Sequence, residues 1–101
     1  MDKEKLKIGI LGCGRVCEHY IDKIFIPGRV GDIYEIVACC DVDNVKSNNV
    51  GKKLSCQPYN NINEFVKHKN MEIVLILTKS GQHFNHAKIC LLNNLNVIVE
   101  K

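Results

Sequence analysis

The sequence predicts an α/β domain in which a parallel sheet carries helices on both faces. Three observations lead there. Short apolar, β-branched runs alternate with stretches of helical periodicity, the pattern of successive βαβ units. The runs are apolar at most positions rather than at alternate ones, as strands buried on both faces must be. The first run also ends in Gly12-Cys13-Gly14, with a helical stretch directly behind it. At 101 residues the chain has room for one such domain, residues 1–101, and for no second one.

The elements follow in order. Leu6 to Leu11 is a buried strand broken only by Lys7 and Gly9. From Arg15 to about Phe25 the spacing predicts a helix, with Val16, Tyr20 and Ile24 on one line, Cys17 and Ile21 beside it, and Glu18, Asp22 and Lys23 opposite. Pro27-Gly28 closes it. Glu35 to Cys40 is a second buried strand, followed by a helix from Asn44, as its cap, to about Leu54. Cys56 to Tyr59 makes a short third strand. Asn61-Ile62-Asn63-Glu64 then has capping-box spacing, with Phe65 and Val66 behind it. Glu72 to Thr78 is the clearest strand. Gln82 to Asn94 is a helix showing Phe84, Ala87 and Leu91 at i, i+3 and i+7, and Asn96 to Glu100 is the last strand.

Composition narrows the function classes. The net charge of +3 is mild and the lysines are scattered, with local basic spots only at Lys52-Lys53 and Lys67-His68-Lys69. Nucleic-acid binders concentrate such charge on one stripe, so that class is set aside. The longest apolar run, Ile73 to Leu77, is far too short to span a bilayer. Six cysteines contain no C-x-x-C pair, so neither a zinc ribbon nor a dithiol redox motif is signalled. His83 and His86 stand at i and i+3 without an evident third ligand, and no metal is expected. Reduced thiols and the absence of a signal-peptide pattern behind Met1 give a cytoplasmic expectation.

The chemistry lies at the glycine turn. Gly12 permits a tight turn, and Gly14 lets the backbone approach a pyrophosphate without a Cβ in the way. Arg15 and Val16 open the following helix, whose N–H groups and dipole favour an anion. Cys17 stands where such a fingerprint has glycine or alanine, and close helix–strand packing is its expected role. Asp41 ends the second strand, 27 residues after Gly14, somewhat beyond the usual spacing of about 20. The residues between Ile26 and Tyr34 accommodate the difference. A carboxylate there accepts hydrogen bonds from ribose hydroxyls and repels a 2′-phosphate, which favours NAD over NADP; a plain turn aspartate is the structural alternative. Leu-Gly-Cys-Gly also suits a loop for S-adenosylmethionine in a methyltransferase, although Val16 stands where a third glycine is usual and Ile10-Leu11 where an acidic residue is. A non-catalytic nucleotide-sensing or partner-pairing domain is the other reading.

Three segments give the chain a resemblance to the N-terminal Rossmann-type domain of the glucose–fructose oxidoreductase / inositol dehydrogenase (Gfo/Idh/MocA) family. They are Ile8 to Gly14, Ile36 to Asp41, and Ile73 to Lys101. That family has Thr-Pro-(Asn/Ser)-x-x-His after its fourth strand and Glu-Lys-Pro after its fifth. Here the first is Thr78-Lys79-Ser80-Gly81-Gln82-His83, with Lys79 replacing proline, and the second is Glu100-Lys101. The resemblance implies that Leu77 and Thr78 border the nicotinamide ribose and pyrophosphate, that His83 lies near the cofactor, and that Glu100 lies beside the nicotinamide. It makes Lys101 the lysine that contacts substrate and assists proton movement during hydride transfer. The Ser80-Gly81-x-His83 wording is similar to the branch that oxidises UDP-N-acetyl-glucosaminuronate in polysaccharide synthesis. It further implies a sugar, nucleotide-sugar or cyclitol substrate, a homo-oligomer, and a second open-sheet domain that residues 1–101 do not contain. The 101 residues alone are therefore expected to turn over nothing.

Overall fold

A computed structural model describes residues 5–23 and 33–100. Five parallel strands, β1 (Leu6–Leu11), β2 (Tyr34–Cys40), β3 (Gln57–Tyr59), β4 (Ile73–Ile76) and β5 (Asn96–Val99), form one sheet in the order β3-β2-β1-β4-β5. The helices are α1 (Arg15–Lys23), α2 (Asn44–Leu54), α3 (Ile62–Phe65) and α4 (His83–Leu92), the last preceded by a 3-10 turn at Ser80–Gln82. The chain leaves β1 toward β2 on one side and returns past β1 to β4 on the other. The strand order therefore reverses at β1, where ligands of such sheets bind, beyond the strands' carboxyl ends.

Neighbouring residues of the strands point to opposite faces, and each face has its own core. Ile10, Cys39 and Leu75 pack with Cys17 of α1 and Val50 of α2. Leu11, Cys40 and Ile76 pack with Phe65 of α3 and Cys90 of α4. The predicted α/β sandwich with helices on both faces is thus the observed one.

The pairing of β1 with β2 slips once, between Ile8 and Gly9. Ile8 faces Ile36 while Gly9 faces Ala38, so Val37 is an extra residue on β2. Gly9 has its own constraint. A Cβ there would lie 2.2 Å from Met71 Sδ and 2.8 Å from Phe65 Cζ, so α3 and the segment after it close directly on the bare backbone.

Four local expectations are corrected. Asp43, not Asn44, caps α2; its side chain accepts from Val45 and Lys46 N–H, and Asn44 is already helical. β3 begins at Gln57, one residue later than Cys56. The Phe84–Ala87–Leu91 line of α4 is not its buried face, because Phe84 is 76% and Leu91 56% exposed. Cys90 is the buried anchor, with Ala87 and Ile89 packed against its core. On α1 the fully buried residue is Cys17 rather than Val16, which is 40% exposed. Asn61 caps α3 as expected, accepting from Asn63 and Glu64 N–H. Ile24, Phe25 and Pro27-Gly28 lie outside the described residues.

Candidate dinucleotide site

β1 ends in a turn welded to both neighbours. Gly12 N–H donates to the Cys40 carbonyl at 2.8 Å, and Leu77 N–H donates to the Leu11 carbonyl at 2.8 Å. Gly12 has φ +104°, and a Cβ on it would lie 2.9 Å from both Leu77 C and Thr78 N. Gly14 differs. A Cβ there would meet no protein atom within 4 Å, so packing within the chain does not account for this glycine, and the space above it is open to a group from outside. Its carbonyl accepts from Glu18 N–H, which makes it the residue from which α1 starts. Arg15 and Val16 follow, exposed, in the first turn, whose N–H groups have no partner within the helix.

Asp41 is bound into this turn. Its Oδ2 accepts from Cys13 N–H at 2.9 Å and its Oδ1 from Asp43 N–H at 2.9 Å. The turn-aspartate role is therefore real, yet a carboxylate has about four acceptor positions, and two serve the backbone here. The remainder fit a ribose diol next to the phosphate turn. Open space at Gly14 and spare acceptor capacity at Asp41 together match a dinucleotide.

The thiols beneath the turn are packing groups. Cys13, Cys17, Cys39 and Cys40 are all buried. Hydrogen bonds with Cys17 and Cys39, then burial, raise the Cys13 pKa; burial, then the Asp41 charge, pushes Cys40 up to about 12. Cys39 moves the other way, because the Cys13 and Cys56 thiols hydrogen-bond to it. Cys17 is completely buried, in keeping with its expected packing role.

On the other side of the reversal, the loop after β4 is clasped by α4. His83 Nε2 donates to the Thr78 carbonyl at 2.5 Å, and His86 Nδ1 shares a 2.8 Å hydrogen bond with Thr78 Oγ1. Burial, then the neighbouring His83, lowers the His86 pKa and favours its neutral form. Both rings are spent on Thr78. Among the described residues no group of three His, Cys, Asp or Glu is arranged to hold a metal. Leu77 itself is buried, so only its backbone can border a ligand.

Lys79 has φ −59° and ψ 145°, which is proline geometry, and among the described residues its N–H donates to no backbone carbonyl. Lys79 thus holds backbone angles that a proline would also adopt. Lys79→Pro is accordingly expected to stabilise the chain by about 0.4–1 kcal/mol through the unfolded state. A thermal melt checks it, and a lowered midpoint would show that the loop is not held as described.

Glu100 extends β5, its N–H donating to the Ile76 carbonyl at 3.1 Å, and Tyr20 of α1 donates its hydroxyl to the Glu100 carboxylate. Lys101 lies outside the described residues. Gly12, Gly14, Arg15, Val16, Asp41, Leu77, Thr78 and Glu100 thus line the carboxyl ends of β2, β1, β4 and β5, with His83 one step behind them on Thr78. Sequence reasoning missed the Tyr20–Glu100 bond, because Tyr20 reads there as a core position, and it saw His86 only as half of a metal pair.

A doubly wound sheet with a glycine turn at its reversal and a carboxylate closing the next strand defines a dinucleotide-binding Rossmann domain. The oxidoreductase family with an NAD-binding Rossmann fold (GFO_IDH_MocA) matches residues 6–101, and the chain belongs to it. No curated protein sequence matches the chain significantly. Among solved structures, it is similar to the WlbA dehydrogenase from Bordetella pertussis, crystallised with NADH and UDP-GlcNAcA, at 24% identity and TM-score 0.87 over 97% of this chain and 29% of that one. A WlbA dehydrogenase from Chromobacterium violaceum, also with NADH and UDP-GlcNAcA, gives 20% identity and TM-score 0.89 over 100% and 28%. The scyllo-inositol dehydrogenase from Lactobacillus casei, with NAD(H) and scyllo-inositol, gives 23% and 0.82 over 97% and 28%. The chain thus spans less than a third of the length of each.

Proposed function

We propose that the chain is the cofactor-binding part of an NAD-dependent dehydrogenase acting on a hydroxyl of a sugar, nucleotide-sugar or cyclitol. The observation that carries the cofactor half is Asp41, whose carboxylate bonds the phosphate turn and keeps acceptor positions beside it. NAD is favoured over NADP, whose 2′-phosphate would meet that negative charge. Bound there, the nicotinamide would supply the hydride acceptor. The chain's own residues seat the phosphates on Gly12–Val16, hold the ribose at Asp41, and shape the loop at Leu77 and Thr78.

The substrate class rests on family membership and on the neighbours' ligands, with the UDP-N-acetyl-glucosaminuronate branch preferred on the Ser80-Gly81-x-His83 wording. Lys101 is proposed as the proton-handling residue, next to Glu100, in a cytoplasmic homo-oligomer. Turnover requires a further domain. Apolar groups at the edge of the sheet suit its docking: on β5, whose outer edge no described strand pairs, Ile98 on one face and Val99 on the other are 55% and 43% exposed. Among the described residues no helix is long and apolar enough to cross a membrane.

Titrating the 101-residue chain with NADH, NADPH and S-adenosylmethionine, followed by NADH fluorescence and thermal shift, tests the cofactor reading. Binding in the order NADH over NADPH, with no response to S-adenosylmethionine, is expected. A preference for S-adenosylmethionine would transfer the site to a methyltransferase. NADH binding only within an obligate complex with another protein would favour the sensing or partner-pairing reading.

A further inference from the structure

The carboxyl ends of the strands carry the site in the order β2, β1, β4, β5, and so in the order Asp41, the glycine turn, Thr78, Glu100. A dinucleotide with its ribose at Asp41 and its phosphates at the turn must extend its second nucleoside over β4 toward β5. Glu100 stands at that far end. Its half-buried carboxylate is bonded by the half-buried Tyr20 hydroxyl, from a residue 80 positions earlier in the chain. The Glu100 hydrogen bond, ahead of burial, raises the Tyr20 pKa and keeps the phenol a donor.

A nicotinamide ring differs in charge between its two redox states: the oxidised ring is a cation and the reduced ring is neutral. A carboxylate held nearby attracts the first and leaves the second almost untouched. The same carboxylate turned into water would be screened and would discriminate little. Holding it in place is what gives the charge its effect.

We propose that Tyr20 and Glu100 act as one unit that biases the site toward oxidised cofactor, with Glu100 supplying the charge and Tyr20 serving as its positioning residue. This rests on the dinucleotide reading above. It adds a redox-state preference, set by a helix residue far from the strand end in sequence.

The test is the ratio of NAD⁺ to NADH affinity, by calorimetry and NADH fluorescence, for the unmutated 101-residue chain, Tyr20→Phe, Glu100→Gln and the double variant. Glu100→Gln is expected to weaken NAD⁺ about 3- to 10-fold relative to NADH, the size of one charge at close range through partly wet surroundings. Tyr20→Phe should move the ratio the same way, and the double variant should match Glu100→Gln alone. Melting curves verify that each variant folds. A loss of packing alone would lower both affinities together, so an unchanged ratio in either single variant overturns the proposal, as do effects that multiply in the double variant. If the unmutated chain binds neither nucleotide, the dinucleotide reading falls and takes this one with it; if it binds both and only the ratio fails to move, the dinucleotide reading survives alone.

Discussion

Gly12→Ala is expected to cost the chain at least about 3 kcal/mol, a large share of the whole stability of a domain of this size. Two effects add. At φ +104° an L residue is strained whatever surrounds it. The new methyl would also lie 2.9 Å from Leu77 C and Thr78 N, and 3.0 Å from the Leu77 carbonyl oxygen. Those are backbone atoms at the end of a central strand, and relief means parting β1 from β4. Gly14→Ala provides the contrast. With nothing within 4 Å of its added methyl, it should fold within about 1 kcal/mol of the parent, the range of a changed helix cap, while losing most of its NADH affinity. Urea unfolding and NADH titration on both variants give the comparison. A Gly12→Ala chain as stable as its parent, or a Gly14→Ala chain that binds undiminished, would contradict the site as described.

Asp41→Ala is expected to lower NADH affinity on the order of tenfold to a hundredfold, the worth of hydrogen bonds to a charged acceptor. It should also destabilise the chain without ligand, because Cys13 and Asp43 N–H groups lose their acceptor. The two effects separate with Asp41→Asn. Its single amide oxygen can keep the bond to Cys13 but has no charge to repel a 2′-phosphate. That variant should recover stability and narrow the gap between NADH and NADPH. Fluorescence titration with both nucleotides checks this, and a gap unchanged in Asp41→Asn would remove Asp41 as the discriminating residue.

The sheet was legible because buried parallel strands announce themselves: Ile73 to Leu77 and Ile36 to Cys40 can be little else. The glycine turn and Asp41 were legible for a related reason, since their positions follow from where strands end. What escaped was long-range or depended on which face wins. Asp43 and Asn44 are both good caps, and only the three-dimensional turn after β2 chooses between them. Phe84 and Leu91 have the spacing of a buried stripe, but Cys90 and Ala87 occupy the sheet side of α4 and turn that stripe outward. No local pattern could join Tyr20 to Glu100. Gly9 carried a usable signal, since an isolated glycine within a strand often marks a bulge or a close backbone approach, and here it marks both.

That bulge governs more than its own neighbourhood. Before it, Ile36 faces the α1 and α2 layer; Val37 and Ala38 then both face the α3 and α4 layer, and Cys39 returns to the first. The strand's parity is inverted at one point. If Val37 instead took a regular place in the ladder, opposite Gly9, every side chain from Ala38 onward would exchange layers, sending Cys39 away from Cys13 and carrying Asp41 off the register that meets Cys13 N–H. The acidic end of the site is thus specified by a count of residues as much as by their identity. Grafting the second strand from a relative would preserve the site only if the graft brought either the same bulge or one residue fewer.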